Sequence, residues 1–308
     1  MSILALLSND LGTSENELKS LLVNAPRKYK VYSIPKRSGG KRTIAQPIPA
    51  LKQAQRSFNK CIKLNVHEAA MAYRAGLSIK ENASIHRMNS YLLKMDLENF
   101  FNSITPSLLW LNLKKQGIEF NLYDNHYLEN LLFWRPRVSS KIILSVGAPS
   151  SPYVSNSLMY SFDKAVNELC SDIHIKYSRY ADDLTFSTRE KNHLFEVPKI
   201  INNLLLKEFG NNLTINTSKT VFSSKAHNRH VTGITINNEG NLSLGREKKR
   251  YIKHLVHKFS FNLLDDSEVP YLKGLLSHAN HIEPDFIVRL QKKYSDEIIQ
   301  CLVNGTNR

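Results

Sequence analysis

A mixed α/β (α+β) fold is what this 308-residue sequence predicts, and three observations carry the prediction. Short segments with period-2 alternation, such as residues 29–34 and 184–187, read as strands. Longer runs with apolar residues at helical spacing lie between them. Three carboxylates, Asp96, Asp182 and Asp183, fall where strands end. With 42% hydrophobic and 22% charged residues the composition is that of a globular protein with a real core. The net charge of +15 and the pI near 9.6 are not ordinary. They favour a polyanionic partner, nucleic acid or an anionic membrane.

The elements follow in order. Residues 1–25 carry a helical pattern with Leu4, Leu7, Leu11, Leu18, Leu21 and Leu22 as its apolar positions, ended by Pro26. The first seven residues are apolar but lack a basic n-region, and read as a helix start rather than a signal peptide. From Arg27 to Lys60 there are ten Lys/Arg and no Asp or Glu. Within that stretch residues 29–34 alternate like a strand, Ser38-Gly39-Gly40 turns, and residues 42–46 return before Pro47. This basic hairpin displays Lys36, Arg37, Lys41 and Arg42. Arg clamps phosphate bidentately and Lys acts as a point charge. The alternative is a solvated basic face, but such a face usually carries intervening acids.

Residues 50–70 read as helical, with a break at Gly76 and then Asn82-Ala83-Ser84-Ile85-His86. Taken alone, His86 is an ordinary satisfied histidine. An apolar run of strand length, residues 91–95, ends in Asp96, which suits either a metal ligand or an N-cap. Phe100 and Phe101 follow as ordinary core candidates. Residues 106–135 read as two helices and 141–147 as an apolar strand. The strand runs into the tight turn Gly147-Ala148-Pro149-Ser150-Ser151-Pro152, and a helix over 153–169 follows. Residues 173–187 form a hairpin with Asp182 and Asp183 at its tip. Then come a helix over 195–209, a strand over 213–221 holding Lys219, a strand over 230–236 and a turn over 237–241. From Arg246 to Lys258 there are six Lys/Arg, two His and one Glu, which suits a helix lying along a nucleic-acid backbone. Two further helices close the chain.

No apolar run approaches bilayer-spanning length, so no membrane is expected. Cys61, Cys170 and Cys301 are scattered without C-x-x-C spacing. That argues against a disulfide framework or a zinc site and fits a reducing cytoplasm.

Adjacent carboxylates at a turn read, on their own, as a solvated turn, since Asp is a common turn former. The rest of the chain changes the balance. Like charges repel unless a cation neutralises them, and Mg²⁺ takes carboxylate oxygens together with substrate phosphates. Two such ions clamp the attacking and leaving oxygens of an in-line phosphoryl displacement. Such a transfer needs mainly positioning and charge neutralisation, so carboxylates for Mg²⁺ and cations for phosphates suffice.

Tyr180-Ala181-Asp182-Asp183 resembles the signature of reverse transcriptases. Its companions stand in that family's order: Lys41-Arg42-Thr43-Ile44, residues 95–101 around Asp96, residues 147–152, and Asn216-Thr217-Ser218-Lys219-Thr220. Five ordered blocks over roughly residues 27 to 260 are a far stronger sign than one tetrapeptide. Two more narrow the resemblance to bacterial retron reverse transcriptases. Asn82-Ala83-Ser84-Ile85-His86 is similar to their N-A-x-x-H element. Val231-Thr232-Gly233 is similar to their V-T-G element, associated with recognition of the cognate structured RNA.

The resemblance implies a right-hand polymerase, an RNA-directed DNA polymerase. Residues 1–26 would be an N-terminal helical segment, 27–90 and 106–143 the fingers, 91–105 and 144–237 the palm, and 238–308 the thumb. It implies a two-metal Mg²⁺ site held by Asp96, Asp182 and Asp183, with the Leu97 carbonyl as a further ligand. Lys41, Arg42, Phe101, Val146, Gly147 and Lys219 would meet the incoming dNTP, Phe101 as the gate against a ribose 2′-OH. Val146 stands where many relatives carry a Gln that touches the nucleotide, which removes a polar contact while the metal ligands stay intact. Tyr180 would lie near the primer terminus. Arg246, Lys249, Arg250 and Lys253 would grip the template–product duplex. Asn82, His86, Val231, Thr232 and Gly233 would recognise the cognate non-coding RNA.

That RNA would serve as template and, through a guanosine 2′-OH, as primer for branched multicopy single-stranded DNA. A separate effector protein, a role in defence against phage and a bacterial cytoplasmic location are implied with it. The competing readings are another bacterial reverse transcriptase, of abortive-infection or group II intron-like kind, and a non-catalytic RNA-binding scaffold.

Overall fold

The computed structural model describes residues 2–36, 39–137 and 139–304. Arg37 and Ser38 of the expected basic hairpin lie outside the described residues. The chain opens with two helices, α1 (Ile3–Leu11) and α2 (Glu15–Leu22), where the periodicity suggested one. Gly12 enters the left-handed region at φ 65° and caps α1, and a capping box between Ser14 and Glu17 starts α2 afresh. The basic hairpin forms as expected: β1 (Tyr29–Pro35) pairs antiparallel with β2 (Lys41–Pro47), Tyr29 opposite Pro47. Helix α3 (Pro49–Cys61) stops short of residue 70. There the Tyr153 hydroxyl accepts from the Leu64 N–H (2.6 Å) and donates to the Ile62 carbonyl (3.1 Å), holding the chain extended.

Next come α4 (Ile79–His86), β3 (Tyr91–Asp96), the single turn α5 (Phe100–Ser103), α6 (Pro106–Lys115) and α7 (Leu122–Leu132). Two short strands follow, β4 (Phe133–Trp134) and β5 (Ile143–Leu144), so the strand expected over 141–147 shrinks to two residues. The expected helix over 153–169 is two, α8 (Ser151–Leu158) and α9 (Tyr160–Asp172), because Met159 at ψ −2° interrupts the helical path. The central hairpin is β6 (Lys176–Tyr180) and β7 (Asp183–Thr188), followed by α10 (Val197–Phe209). Lys219 sits on a 3₁₀ turn, Thr217–Lys219, rather than in a strand, and β8 (Val221–Ser224) begins after it.

The strand expected over 230–236 is a hairpin instead. It consists of β9 (Arg229–Val231) and β10 (Ile234–Ile236), joined through Thr232 and Gly233 at φ 46° and 81°. Two residues of positive φ are what a tight hairpin demands, and Thr at the first is an unusual choice. After β11 (Leu242–Ser243) the basic segment is helical as expected, α11 (Arg246–Ser260). Three helices follow it rather than two: α12 (Val269–Ile282), α13 (Pro284–Tyr294) and α14 (Asp296–Asn304). Strands β6, β7, β3 and β8 form a four-stranded sheet in that order.

The described chain divides into two compact units. The first is built from residues up to 74, 95–184 and 195–220. Its core includes Leu7, Leu51, Phe58 and Leu131, with the Phe162 and Phe209 rings 5.9 Å apart. The second comprises residues 75–94, 185–194 and those from 221 onward. One apolar cluster, including Leu92, Val231, Ile234, Ile252, Leu276 and Phe286, holds it together. Each such buried side chain contributes roughly 1.5–3 kcal/mol. No helix among the described residues is long and apolar enough to cross a membrane.

Candidate active site

In the first unit the end of β3 meets the β6–β7 turn. The Leu97 N–H donates to the Asp182 carbonyl (2.9 Å). On the other side the Glu98 N–H donates to the Thr214 carbonyl and the Asn216 N–H to the Asp96 carbonyl, each at 2.8 Å. Asp96 is therefore fixed between two neighbouring backbones, and it is 8% exposed. The turn itself contains Ala181 at φ 58° and Asp182, with Asp183 exposed as the first residue of β7. A left-handed alanine costs roughly 1–2 kcal/mol.

The electrostatics join these groups. Burial pushes the Asp182 carboxyl above the usual Asp range, and the negative charge of Asp96 pushes the same way. A hydrogen bond from its own backbone N–H and the charges of Lys219 and Arg42 oppose the shift. The Lys219 Nζ stands 2.9 Å from each oxygen of Asp96. That hydrogen bond raises the lysine's pKa, and the charges of Asp96, Asp182 and Asp183 add to it. So all three carboxylates act on one lysine, although Lys219 lies 123 residues from Asp96 in the chain.

Beside them is a pocket of about 260 Å³, walled in part by Lys52, Tyr73, Phe101, Val146, Gly147 and Pro149. The structure thus brings Phe101, Val146 and Gly147 to one cavity. Gly147, at φ 126°, is required by close approach: a Cβ there would meet the Ile44 side chain at 3.0 Å and the Ala45 carbonyl oxygen at 3.1 Å. The Ala45 N–H donates to the Val146 carbonyl (2.9 Å) and the Ser145 hydroxyl to the Ala45 carbonyl (2.6 Å), tying the wall to β2. Strand β2 carries Lys41 and Arg42, both exposed. Burial raises the Tyr73 phenol pKa, the charges of Asp182 and Tyr180 raise it further, and Arg42 lowers it. Tyr73 and Lys52 were not singled out from the sequence. The one local hint for Tyr73 is its place before the break at Gly76.

The second unit holds the remaining expected residues, and here the structure corrects part of the reading. Asn82 and His86 on α4 are 1% and 0% exposed, so neither presents a surface to RNA. The His86 Nδ1 and the Asn89 Nδ2 both meet the Ser187 hydroxyl, at 2.7 and 2.8 Å. Burial pushes the His86 pKa down to about 3, which keeps the ring neutral. The Asn82 Nδ2 donates to the Thr232 hydroxyl, and that hydroxyl donates to the Ile79 carbonyl, both at 3.4 Å. Val231 is buried, Thr232 half-buried and Gly233 exposed. On α11, Arg246, Arg250 and Lys253 face solvent. Lys249 is half-buried, with its Nζ paired with Glu283 (3.1 Å) and the Ser243 hydroxyl (3.0 Å).

Among the described residues no three His, Cys, Asp or Glu side chains are gathered as a ready cation cage. The donor set nevertheless suits a hard divalent ion. Asp96 and Asp182 repel each other through a half-buried space, and the positive charge now answering Asp96 is a lysine ammonium on both its oxygens.

Mutually repelling carboxylates, exposed cations on an adjoining strand and an aromatic-walled pocket are what phosphoryl transfer to a polymerised nucleotide requires. That defines the class as a nucleotidyltransferase of polymerase type. Comparison with known proteins narrows it. The profile of the family "Reverse transcriptase (RNA-dependent DNA polymerase)" matches residues 34–236. The retron Ec83 reverse transcriptase of Escherichia coli is 48% identical over 278 residues, covering 89% of this chain and 89% of that protein. The retron Ec73 reverse transcriptase of Escherichia coli is 32% identical over 301 residues, covering 92% of this chain and 93% of that protein. The chain belongs to the bacterial retron reverse transcriptases, and it is an RNA-directed DNA polymerase with the right-hand fold of that family. Enzymes of this family generally use Mg²⁺, and their partners are RNA and DNA.

Proposed function

We propose that this enzyme copies its own cognate non-coding RNA into branched multicopy single-stranded DNA, starting from a guanosine 2′-OH of that RNA. The observation that carries the catalytic part is the coupling of Asp96, Asp182 and Lys219 across two strand ends. Asp96 and Asp182, with Asp183 and the Leu97 carbonyl beside them, would hold two Mg²⁺ ions. When bound, these ions activate the attacking hydroxyl and neutralise the leaving pyrophosphate. Lys219 shields Asp96 in the free chain and would offer a cation to the triphosphate. Arg42 and Lys41 bind that triphosphate from β2, and Phe101 closes the pocket against a ribose 2′-OH.

Tyr180 supports the primer end, and Arg246, Arg250 and Lys253 track the duplex backbone in a salt-sensitive manner. Thr232 and Gly233 would meet the cognate RNA, with Val231, Asn82 and His86 acting from inside. The division into fingers, palm and thumb, the cytoplasmic location, a separate effector and a role against phage are proposed on the family resemblance. The test is extraction of nucleic acid from cells expressing the chain with its neighbouring locus. A short branched DNA is expected, and Asp182→Asn should lower its yield by about 10²-fold or more. Unchanged yield in that variant would overturn the assignment of the site.

A further inference from the structure

Arg179, the residue before Tyr180, is completely buried, as is Asp163 of α9. A buried guanidinium is tolerated only when its charge and its donors are met. Here Nε and Nη2 stand 2.9 and 2.6 Å from the two oxygens of Asp163, and the Tyr177 hydroxyl donates to the same carboxylate at 2.8 Å. The remaining nitrogen, Nη1, donates in two directions. One bond goes to the carbonyl of left-handed Ala181 (3.0 Å), the residue that turns the chain into Asp182. The other goes to Oδ1 of Asn156 on α8 (3.1 Å). The Nδ2 of that asparagine in turn donates to the Ala72 carbonyl at 2.9 Å. Only one orientation of the amide satisfies both bonds. Ala72 precedes Tyr73, itself held at φ 61°, whose ring walls the pocket.

One asparagine side chain therefore connects the two pieces of strained backbone that face the reaction: the turn bearing Asp182 and the segment bearing Tyr73. We propose that Asn156, with Arg179, is a positioning residue for DNA synthesis that sets the Asp182 turn and the Tyr73 wall of the nucleotide pocket in register. Its two arms have separable effects. The Oδ1 arm steadies Asp182 through Arg179 and Ala181, and so governs the chemical step. The Nδ2 arm steadies Tyr73, and so governs nucleotide binding.

The inference rests on the reading of Asp182 as a metal-binding carboxylate, and two variants separate the arms. Asn156→Ala loses both, while Asn156→Asp keeps an acceptor for Arg179 and loses the donor to Ala72. On a primed RNA template, Asn156→Ala should lower kcat by tenfold to about a hundredfold and raise KM for dNTP. Asn156→Asp should raise KM severalfold with kcat near the parent value. Amide hydrogen exchange of the metal-free chain supplies a readout independent of activity. Asn156→Ala should speed exchange over residues 180–184 and 70–74, and Asn156→Asp over 70–74 alone, with α10 unchanged in both. Unaltered exchange at these segments, acceleration spread evenly along the chain, or parallel changes of kcat and KM in both variants would overturn the proposal. If Asp182→Asn instead keeps full incorporation, the metal reading of that carboxylate fails, and the exchange pattern still decides whether the brace exists.

Discussion

Two tight turns carry the residues that the family resemblance marks, and they are held in different ways. Both place a residue with a Cβ in the left-handed region: Ala181 at φ 58° between β6 and β7, and Thr232 at φ 46° between β9 and β10. Behind Ala181 stands a buried ion pair, with Arg179 Nη1 on the strained carbonyl and Asp163 behind the guanidinium. Behind Thr232 stand two 3.4 Å hydroxyl contacts to α4, from Asn82 and to Ile79, joining neutral groups. Strain persists where its surroundings over-determine it. A turn that must hold a carboxylate to a fraction of an ångström is over-determined by a charge network. The Thr232 turn is braced by neutral hydrogen bonds instead, and on the proposed reading that leaves its geometry open to adjustment by the RNA it would meet.

The sharpest way to break this contrast is to remove one brace from each turn. Arg179→Met leaves Asp163 buried without its cation and should lose about 3–5 kcal/mol in urea unfolding. Asn82→Ala should lose less, about 1–2 kcal/mol, because the groups it leaves behind are neutral. Equal losses would mean the two turns are held alike.

Acid titration separates the units by sign. His86 has its folded pKa pushed down to about 3, so the unfolded chain binds its proton more readily. Stability of the second unit should then be complete above the ordinary histidine pKa, fall as pH drops below it, and be lost by about pH 3. His86→Gln should flatten a dependence worth a few kcal/mol, followed by thermal melting across that range. Asp182 runs the other way. Its folded pKa is raised, so its contribution is full below the ordinary Asp value and is lost as pH rises through the higher folded one. At neutral pH the ionised carboxylate therefore destabilises the metal-free chain. Asp182→Asn should raise the metal-free Tm while abolishing synthesis, and added Mg²⁺ should raise the Tm of the parent but not of the variant. A lower Tm for Asp182→Asn would show that burial and the nearby charge of Asp96 do not destabilise the ionised Asp182 carboxylate.

The smallest effects come from relieving the backbone. Ala181→Gly should stabilise by about 1 kcal/mol, or roughly 2 °C in Tm, whereas in Thr232→Gly the same relief is offset by loss of the hydroxyl contacts to Asn82 and Ile79 and the Tm should stay near that of the parent. The first should also slow incorporation, because the freed turn no longer fixes Asp182. The second should instead weaken binding of the cognate RNA. The reverse pairing would exchange the roles given to the two turns.

The sequence by itself determined the chemistry. Period-2 segments ending in Asp96 and in Asp182-Asp183, the acid-free basic hairpin and the cationic run from Arg246 are local features. Each survived into β3, β6–β7, β1–β2 and α11, because alternation and charge density depend on neighbours a few residues apart. What only the tertiary structure decided is who stands next to whom and who is buried. Lys219 answers Asp96 across 123 residues, Tyr73 and Lys52 join Phe101 around one pocket, and Lys249 turns inward to Glu283. The family resemblance marks Asn82 and His86 for RNA recognition, yet burial makes them internal supports. Arg179 sits inside the most recognisable stretch of the chain, and its role still depended on Asp163 and Asn156, which come from two other helices. Pairing and burial are sums over contacts distant in sequence, and no local pattern encodes them.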